Sequence, residues 1–74
     1  MVYTLKELRQ ACRLSQFELA TLVGVTPSTV YNWERGRNEP RVTQLRTLAR
    51  VLGTPMETIA MNEDDRAEIV KIAA

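Results

Sequence analysis

Apolar residues recur at the period of an α-helix through the first sixty residues, and caps and breakers divide them into segments. The first helix carries Leu5, Leu8 and Cys12 on one face and is expected to end near Cys12 or Arg13. A second helix is expected to end at Gly24, because glycine readily takes the left-handed conformation found at helix C-termini. The remaining apolar positions predict a third helix from about Pro27 to Glu34, a fourth over 42–52 and a short fifth ending near Ala60.

Polar residues at fixed spacing predict where several of these helices begin. Residues 4–7, 15–18 and 54–57 have the capping-box pattern, in which a cap hydroxyl and a glutamate three residues later bond each other's backbone N–H groups. Thr26 followed by Pro27 predicts a further start, because a proline at the first helical position lacks an N–H that would have no partner there anyway.

The sequence pattern of the last stretch of the chain, residues 61–74, is compatible with more than one kind of secondary structure. Acids at 63–65 favour a helix start, because carboxylates are stabilised at the N-terminal end of a helix dipole. The run 67–72 also resembles a short β-strand. We expect an all-α fold, with a compact five-helix domain over residues 1–60 and a short C-terminal tail over 61–74 that is helical or irregular.

The cysteine and histidine counts restrict the chemistry of the 74-residue chain. It has one cysteine and no histidine, which excludes a disulfide framework or a Cys/His zinc site and suits a reducing compartment. We expect no enzymatic activity, no cofactor and no metal, because no nucleophile is matched with a general base. Cys12 is expected to be a small buried residue.

The N-terminal sequence and the hydropathy indicate where the protein acts. The start lacks the basic-then-apolar order of a signal peptide, and no apolar run approaches the roughly 20 residues of a membrane span. We therefore expect a cytoplasmic protein with no membrane partner. In the absence of a sensor domain, regulation is expected through concentration, a partner or degradation.

Charge is unevenly divided along the chain. Residues 1–50 carry a net charge of +4 and residues 51–74 a net charge of −3. Arginines concentrate between positions 35 and 50, where they would provide a positive field for a phosphate backbone. A solvated surface would show the same charges, so the charge pattern alone leaves both interpretations open.

The second and third predicted helices have the spacing of a helix-turn-helix. Two short helices flank a tight turn at residues 24–26, and Ala20 is placed where these helices would cross closely. A plain αα-hairpin has the same elements, so spacing alone leaves both open.

The order of residues in this region resembles one known family. The runs 14–20 (LSQFELA), 23–26 (VGVT) and 30–36 (VYNWERG), with Pro40 beyond them, are similar to the Cro/C1-type (XRE) helix-turn-helix family of phage and bacterial repressors. The resemblance covers about residues 4–60. It implies a five-helix fold of the phage-repressor type and a homodimer that binds double-stranded DNA at a pseudo-palindromic operator.

The resemblance also implies roles for individual residues. In this family the N-terminal half of the third helix reads bases in the major groove. That role falls on Pro27, Ser28, Tyr31 and Asn32. Asn32 is the strongest candidate, because a carboxamide can donate to and accept from adenine together, although it could also be an ordinary exposed polar residue. Phosphate contacts are implied for Gln16, Thr29, Arg35, Arg37, Arg41 and Arg9.

Several aromatic and apolar residues need separate interpretation. Pro27 occupies a slot that is often polar in the family and can offer only an apolar contact. Phe17 and Leu22 also replace polar residues, and they are expected to pack under the tail, against a partner or in an enlarged core. Trp33 is expected to pack in the core or at the backbone edge rather than stack on a base.

Two functions remain open from the sequence. One is a transcriptional repressor that binds double-stranded DNA as a homodimer, which the basic loop 35–41 favours. The other is an antitoxin or adaptor that uses the fold mainly to bind another protein, such as a toxin or an antirepressor, which Phe17 and Leu22 keep open. The tail, 61–74, is expected to serve dimerisation or packing.

Overall fold

The computed structural model describes residues 1–73, with side chains through residue 72. Within that range the α-helices are α1 (Leu5–Ala11), α2 (Gln16–Val23), α3 (Pro27–Glu34), α4 (Val42–Leu52) and α5 (Glu63–Ala73). A 3-10 turn covers Met56–Thr58, and β1 (Tyr3–Thr4) pairs in parallel with β2 (Ile59–Ala60). The predicted five-helix class is confirmed, with a short ladder that periodicity did not predict. None of these helices is long and apolar enough to cross a bilayer.

Two of the predicted capping boxes begin α1 and α2. Thr4 Oγ1 accepts a hydrogen bond from Glu7 N at 3.2 Å, and Glu7 Oε1 accepts one from Thr4 N at 2.9 Å. Ser15 and Glu18 exchange the same two bonds at 3.0 and 2.9 Å. Gly24 then ends α2 with a left-handed φ of 86°, as predicted.

The capping carboxylates make the fold sensitive to acid. Hydrogen bonds from the backbone N–H groups of the cap residues hold the pKa of Glu7 and of Glu18 below the usual 4.5. As the pH falls, the unfolded chain therefore takes up protons before the folded chain does. The stabilisation is complete above pH 4.5 and is lost as the pH falls through the folded-state pKa.

We expect the thermal midpoint to decrease as the pH is lowered from about 6 to about 3. Glu18→Gln should lose less stability over that interval, because its amide oxygen can still accept from the cap residue but does not titrate. Thermal melts followed by circular dichroism across this pH range make the comparison. Identical acid sensitivity of the variant and the wild type would contradict the role given to Glu18.

The third predicted capping box, over residues 54–57, is wrong. Pro55 has extended backbone angles with ψ at 147°, so the turn begins one residue later than the box requires. The Thr54 hydroxyl instead shares a hydrogen bond with the Thr58 hydroxyl. The expected short fifth helix is therefore a single 3-10 turn, and the fifth α-helix lies in the tail.

The predicted burial of Cys12 is also wrong, because the residue is exposed. α1 ends at Ala11, and Arg13 takes a positive φ of 59°. The chain therefore turns before Cys12 can extend the buried stripe of α1. Its Sγ lies 3.9 Å from the Leu52 carbonyl oxygen.

The core is built around Trp33, which confirms the packing role predicted for that residue. α2 packs against α3 and α4, and Ala20 on α2 is 1% exposed. Burial of the apolar faces supplies the main favourable term in folding. The buried apolar residues are Leu5, Leu19, Ala20, Val30, Trp33, Leu48, Leu52, Ile59, Ala60 and Met61.

α5 is fixed to the rest of the domain near its beginning. Met61, just before the helix, is part of the core. Arg66 Nη1 donates to Glu7 Oε1 at 2.6 Å, which joins α5 to α1. Further along α5, Val70 and Ile72 are exposed. The tail is therefore anchored at one end and presents apolar side chains towards the other.

Candidate nucleic-acid interface

One side of α3 is left free by the core. Val30 and Trp33 are buried, and at about 100° per residue the helix turns Ser28, Tyr31 and Asn32 to the opposite side. Ser28 is exposed, Tyr31 is 42% exposed and Asn32 is half-buried. A hydroxyl, a phenol and a carboxamide thus share this surface, which we call the α3 face.

The threonine–proline pair predicted to start α3 does so. Thr26 Oγ1 accepts from Thr29 N at 3.2 Å, and the two threonine hydroxyls lie 2.9 Å apart in a further hydrogen bond. Pro27 stands exposed at the first helical position, at the edge of the α3 face. The Thr29 hydroxyl is thus engaged within the protein.

Three exposed arginines follow the α3 face in the chain. Arg35 ends α3, and Arg37 and Arg41 lie in the connection to α4. Among the side chains of residues 1–72, no carboxylate forms an ion pair with any of them. Their positive charge is therefore not neutralised by these side chains and is available to an anion.

Arg9 and Gln16, which the family resemblance implied as phosphate contacts, meet at Glu34. Arg9 Nε donates to Glu34 Oε2 at 2.7 Å, and Arg9 Nη2 donates to Oε1 at 3.2 Å. Gln16 Nε2 donates to the same Oε1 at 3.0 Å, and Arg9 Nη1 donates to the Leu14 carbonyl oxygen at 2.9 Å. This cluster connects α1, α2 and α3.

Arg9 and Gln16 differ in the hydrogen-bond donors that they leave available for a ligand. The side chains of Arg9 and Glu34 are 10% and 6% exposed, so the guanidinium is engaged in the interior. Gln16 is half-buried at the first position of α2. A carboxamide nitrogen carries two hydrogens and Glu34 accepts one of them, so Gln16 keeps a second donor for a ligand.

Glu34 is the residue of this region that the sequence analysis missed. A signal was present, because Glu34 follows Val30 by four positions and Arg9 follows Leu5 by four. Each charge therefore continues an apolar stripe of its helix. Opposite charges on two buried stripes are expected to pair, since an unpaired buried charge is costly.

The outer side of α2 carries an exposed apolar patch. Phe17 is 68% exposed and Leu22 is 55% exposed, and together with Leu14 and Thr21 they line a shallow pocket. The expectation that they enlarge the core is therefore wrong, and residues 63–72 of α5 do not cover them. The alternative of a partner stays open for this α2 patch.

The described residues show no arrangement suited to metal chemistry. In residues 1–73, no three side chains of His, Cys, Asp or Glu are grouped so that they could hold an ion. The polar groups of the α3 face and the neighbouring arginines are suited to recognition, in which they bind a ligand through hydrogen bonds and charge.

Comparisons with known proteins agree with this description. A family model described as Helix-turn-helix matches residues 5–59. An uncharacterized HTH-type transcriptional regulator of Methanothermobacter thermautotrophicus is 37% identical over 65 residues, which cover 86% of this chain and 94% of that protein. The (S)-2-hydroxypropylphosphonic acid epoxidase of Streptomyces wedmorensis is 38% identical over 72 residues, or 92% of this chain, which spans 36% of that protein's length. No solved structure gives a significant match.

Proposed function

Because the chain belongs to the Cro/C1-type helix-turn-helix family, we propose that it is a transcriptional repressor that binds double-stranded DNA with α3 in the major groove. The observation that carries this proposal is the α3 face. Its polar side chains point away from the core, and three exposed arginines that form no ion pair with the described side chains follow this face in the chain. Base edges are recognised by hydrogen-bond donors and acceptors such as those of the α3 face. Phosphates are bound by cations such as these arginines.

Base reading is assigned to the α3 face. Asn32 donates to and accepts from an adenine through its carboxamide, and Ser28 bonds a neighbouring base. Pro27, at the edge of the face, offers an apolar contact to a thymine methyl group. Tyr31 lies between them and contributes an apolar contact through its ring.

Phosphate binding is assigned to Arg35, Arg37 and Arg41, with Gln16 adding its free N–H. The proposed contacts leave out Arg9, because its guanidinium is occupied by Glu34 and by the Leu14 carbonyl oxygen. Thr29 stands at the first turn of α3 with its N–H and its hydroxyl both bonded to Thr26, so a phosphate contact there would compete with these two bonds.

A homodimer completes the proposal. One domain offers a single short helix to the groove, and single modules bury only about 600–1,000 Å² of surface on DNA. Two copies would place their α3 helices about one helical turn apart, roughly 34 Å. The exposed Val70 and Ile72 of the tail provide apolar surface for the contact between copies.

Selection from a random duplex library tests the proposal. We expect enrichment of a pseudo-palindrome with half-sites about 10 base pairs apart, centre to centre. Sedimentation with the selected duplex should show two chains bound. Enrichment of a single half-site by one chain would exclude the dimer, and no enrichment would exclude sequence-specific DNA binding.

The same selection gives a prediction for Asn32→Ala. The variant should lose preference at one base position in each half-site, at a cost of about 1–3 kcal/mol for the preferred base. Asn38→Ala is the matched control, because Asn38 is exposed in the loop beyond α3. If the Asn32 variant selected the wild-type motif at every position, Asn32 would not be a base-reading residue.

A second candidate function is favoured by the α2 patch. In this alternative the main partner is another protein, such as a toxin or an antirepressor, and the exposed Phe17 and Leu22 make the contact. Exposed apolar surface of this kind marks interaction sites in soluble domains. This function becomes the better account if the library selection yields no motif.

A further inference from the structure

The guanidinium groups of two arginines lie over the aromatic ring of Tyr31. The guanidinium carbon of Arg35 lies 5.8 Å from the centroid of the Tyr31 ring, and that of Arg37 lies 6.0 Å from it. Both distances fall within the range of a cation–π interaction, in which the negative face of the ring attracts the cation. All three residues are exposed at the end of the α3 face.

The backbone at the end of α3 brings this arrangement about. Arg37 N donates to the Asn32 carbonyl oxygen at 2.9 Å, and Gly36 N donates to that of Trp33 at 3.1 Å. These two bonds form a Schellman turn, in which Gly36 takes the left-handed φ of 75°. The turn folds Arg37 back over the helix, while Arg35 reaches the same ring from one helical turn along.

The turn is crowded at Gly36. A Cβ atom on Gly36 would lie 2.8 Å from Asn62 Nδ2, at the beginning of the tail. The positive φ and this contact both favour glycine at the position. The turn therefore places the backbone of Arg37 near Tyr31, and the Arg37 side chain completes the contact with the ring.

We propose that Tyr31 is a positioning residue, whose ring holds the guanidinium groups of Arg35 and Arg37 ready for one stretch of the phosphate backbone. The inference rests on the proposed function and deepens it. Two arginines brought together repel each other, and each loses rotamer freedom on binding DNA. A ring that holds both before binding offsets part of that cost.

The positioning role belongs to the ring of Tyr31, whereas a hydrogen bond from the same residue to a base would require its hydroxyl. Tyr31→Phe keeps the ring, and Tyr31→Leu removes it while keeping an apolar side chain. We expect Tyr31→Phe to bind within about twofold of the wild type. Tyr31→Leu should weaken binding roughly five- to thirtyfold, the product of two exposed cation–π contacts, on the selected duplex and on an unrelated duplex alike.

Salt titrations and double variants provide a readout that a merely structural role would not change. Tyr31→Leu should reduce the slope of log affinity against log salt by up to about two units, one for each phosphate that is no longer bound. It should add little to an Arg35→Ala/Arg37→Ala double variant. In an Arg41→Ala background its full effect should appear, because Arg41 does not lie over the ring.

Proton NMR of the free protein tests the arrangement without DNA. Ring currents should displace the Arg35 and Arg37 side-chain resonances in the wild type and in Tyr31→Phe, and the displacement should vanish in Tyr31→Leu. Absence of the displacement in the wild type would overturn the proposal. So would a Tyr31→Phe variant that loses affinity only for the selected duplex, because the hydroxyl would then be reading a base.

The failure of the proposed function can be recognised separately. If the wild type shows the displaced arginine resonances but binds neither duplex at any salt concentration, DNA binding is wrong and the positioning role falls with it. If the wild type binds the selected duplex while Tyr31→Leu binds as tightly as wild type, only the role of Tyr31 is overturned.

Discussion

Glu34→Ala is expected to lower the free energy of unfolding by about 3–5 kcal/mol, because it leaves the buried guanidinium of Arg9 without a counter-charge. The two side chains are 10% and 6% exposed, and the bond from Arg9 Nε to Glu34 Oε2 measures 2.7 Å. The variant also removes the acceptor of Gln16. At about 0.05–0.15 kcal/mol per residue, a domain of this size has roughly 4–11 kcal/mol in total. The variant should therefore lose a large share of the stability of the domain and unfold at a clearly lower urea concentration than the wild type.

A double variant separates the cost of the orphaned charge from the value of the pair. Arg9→Met combined with Glu34→Leu replaces both charges by apolar side chains and should be as stable as the wild type to within about 1 kcal/mol, or more stable. Glu39→Ala, at an exposed glutamate in the following loop, is the control and should change stability by less than about 0.5 kcal/mol. A Glu34→Ala protein with the wild-type urea midpoint would show that loss of the counter-charge of Arg9 does not destabilise the fold.

Ala20→Leu is expected to destabilise the domain by about 1–3 kcal/mol although it changes no proposed DNA contact. Ala20 is 1% exposed on the side of α2 that packs against α3 and α4. Three additional carbon atoms there must displace α2 or force a neighbouring side chain out of its rotamer. Because α2 and α3 form the helix-turn-helix, a displaced α2 should also weaken DNA binding.

The same substitution at an exposed helical alanine provides the control. Ala11 is the last residue of α1 and is exposed, so Ala11→Leu should leave the melting temperature nearly unchanged. Calorimetry of both variants gives the comparison. Equal melting temperatures for Ala20→Leu and the wild type would mean that the contact between the helices tolerates a larger residue.

Local interactions were the part of this fold that could be predicted from sequence. The capping boxes at residues 4–7 and 15–18 join groups three positions apart, so the residue types and their spacing determine the bonds. The box at 54–57 had the same spacing and failed. Its Pro55 stays extended, and the hydroxyl of Thr54 bonds the hydroxyl of Thr58 instead.

Interactions between distant residues were not predicted. The ladder between β1 and β2 joins two-residue segments that are too short to show strand periodicity. The pairing of Arg9 with Glu34 depends on how α1 meets α3, although spacing did place each charge on the apolar stripe of its own helix. For the candidate site, periodicity identified the free side of α3, whereas the contacts of Tyr31 with Arg35 and Arg37 depend on the turn at Gly36.

The pairing of Tyr3 with Ile59 has a consequence for the order in which the chain folds during synthesis. β1 leaves the ribosome before α1 to α4, yet its partner and the core residue Met61 emerge only after them. Closing so long a loop has an entropic cost that contacts between neighbouring helices avoid. α2 and α3 can therefore associate while translation continues, but the ladder that joins the two ends of the helical body closes only after residue 61 is free. A nascent chain arrested before that point would carry the helix-turn-helix on an unfinished core.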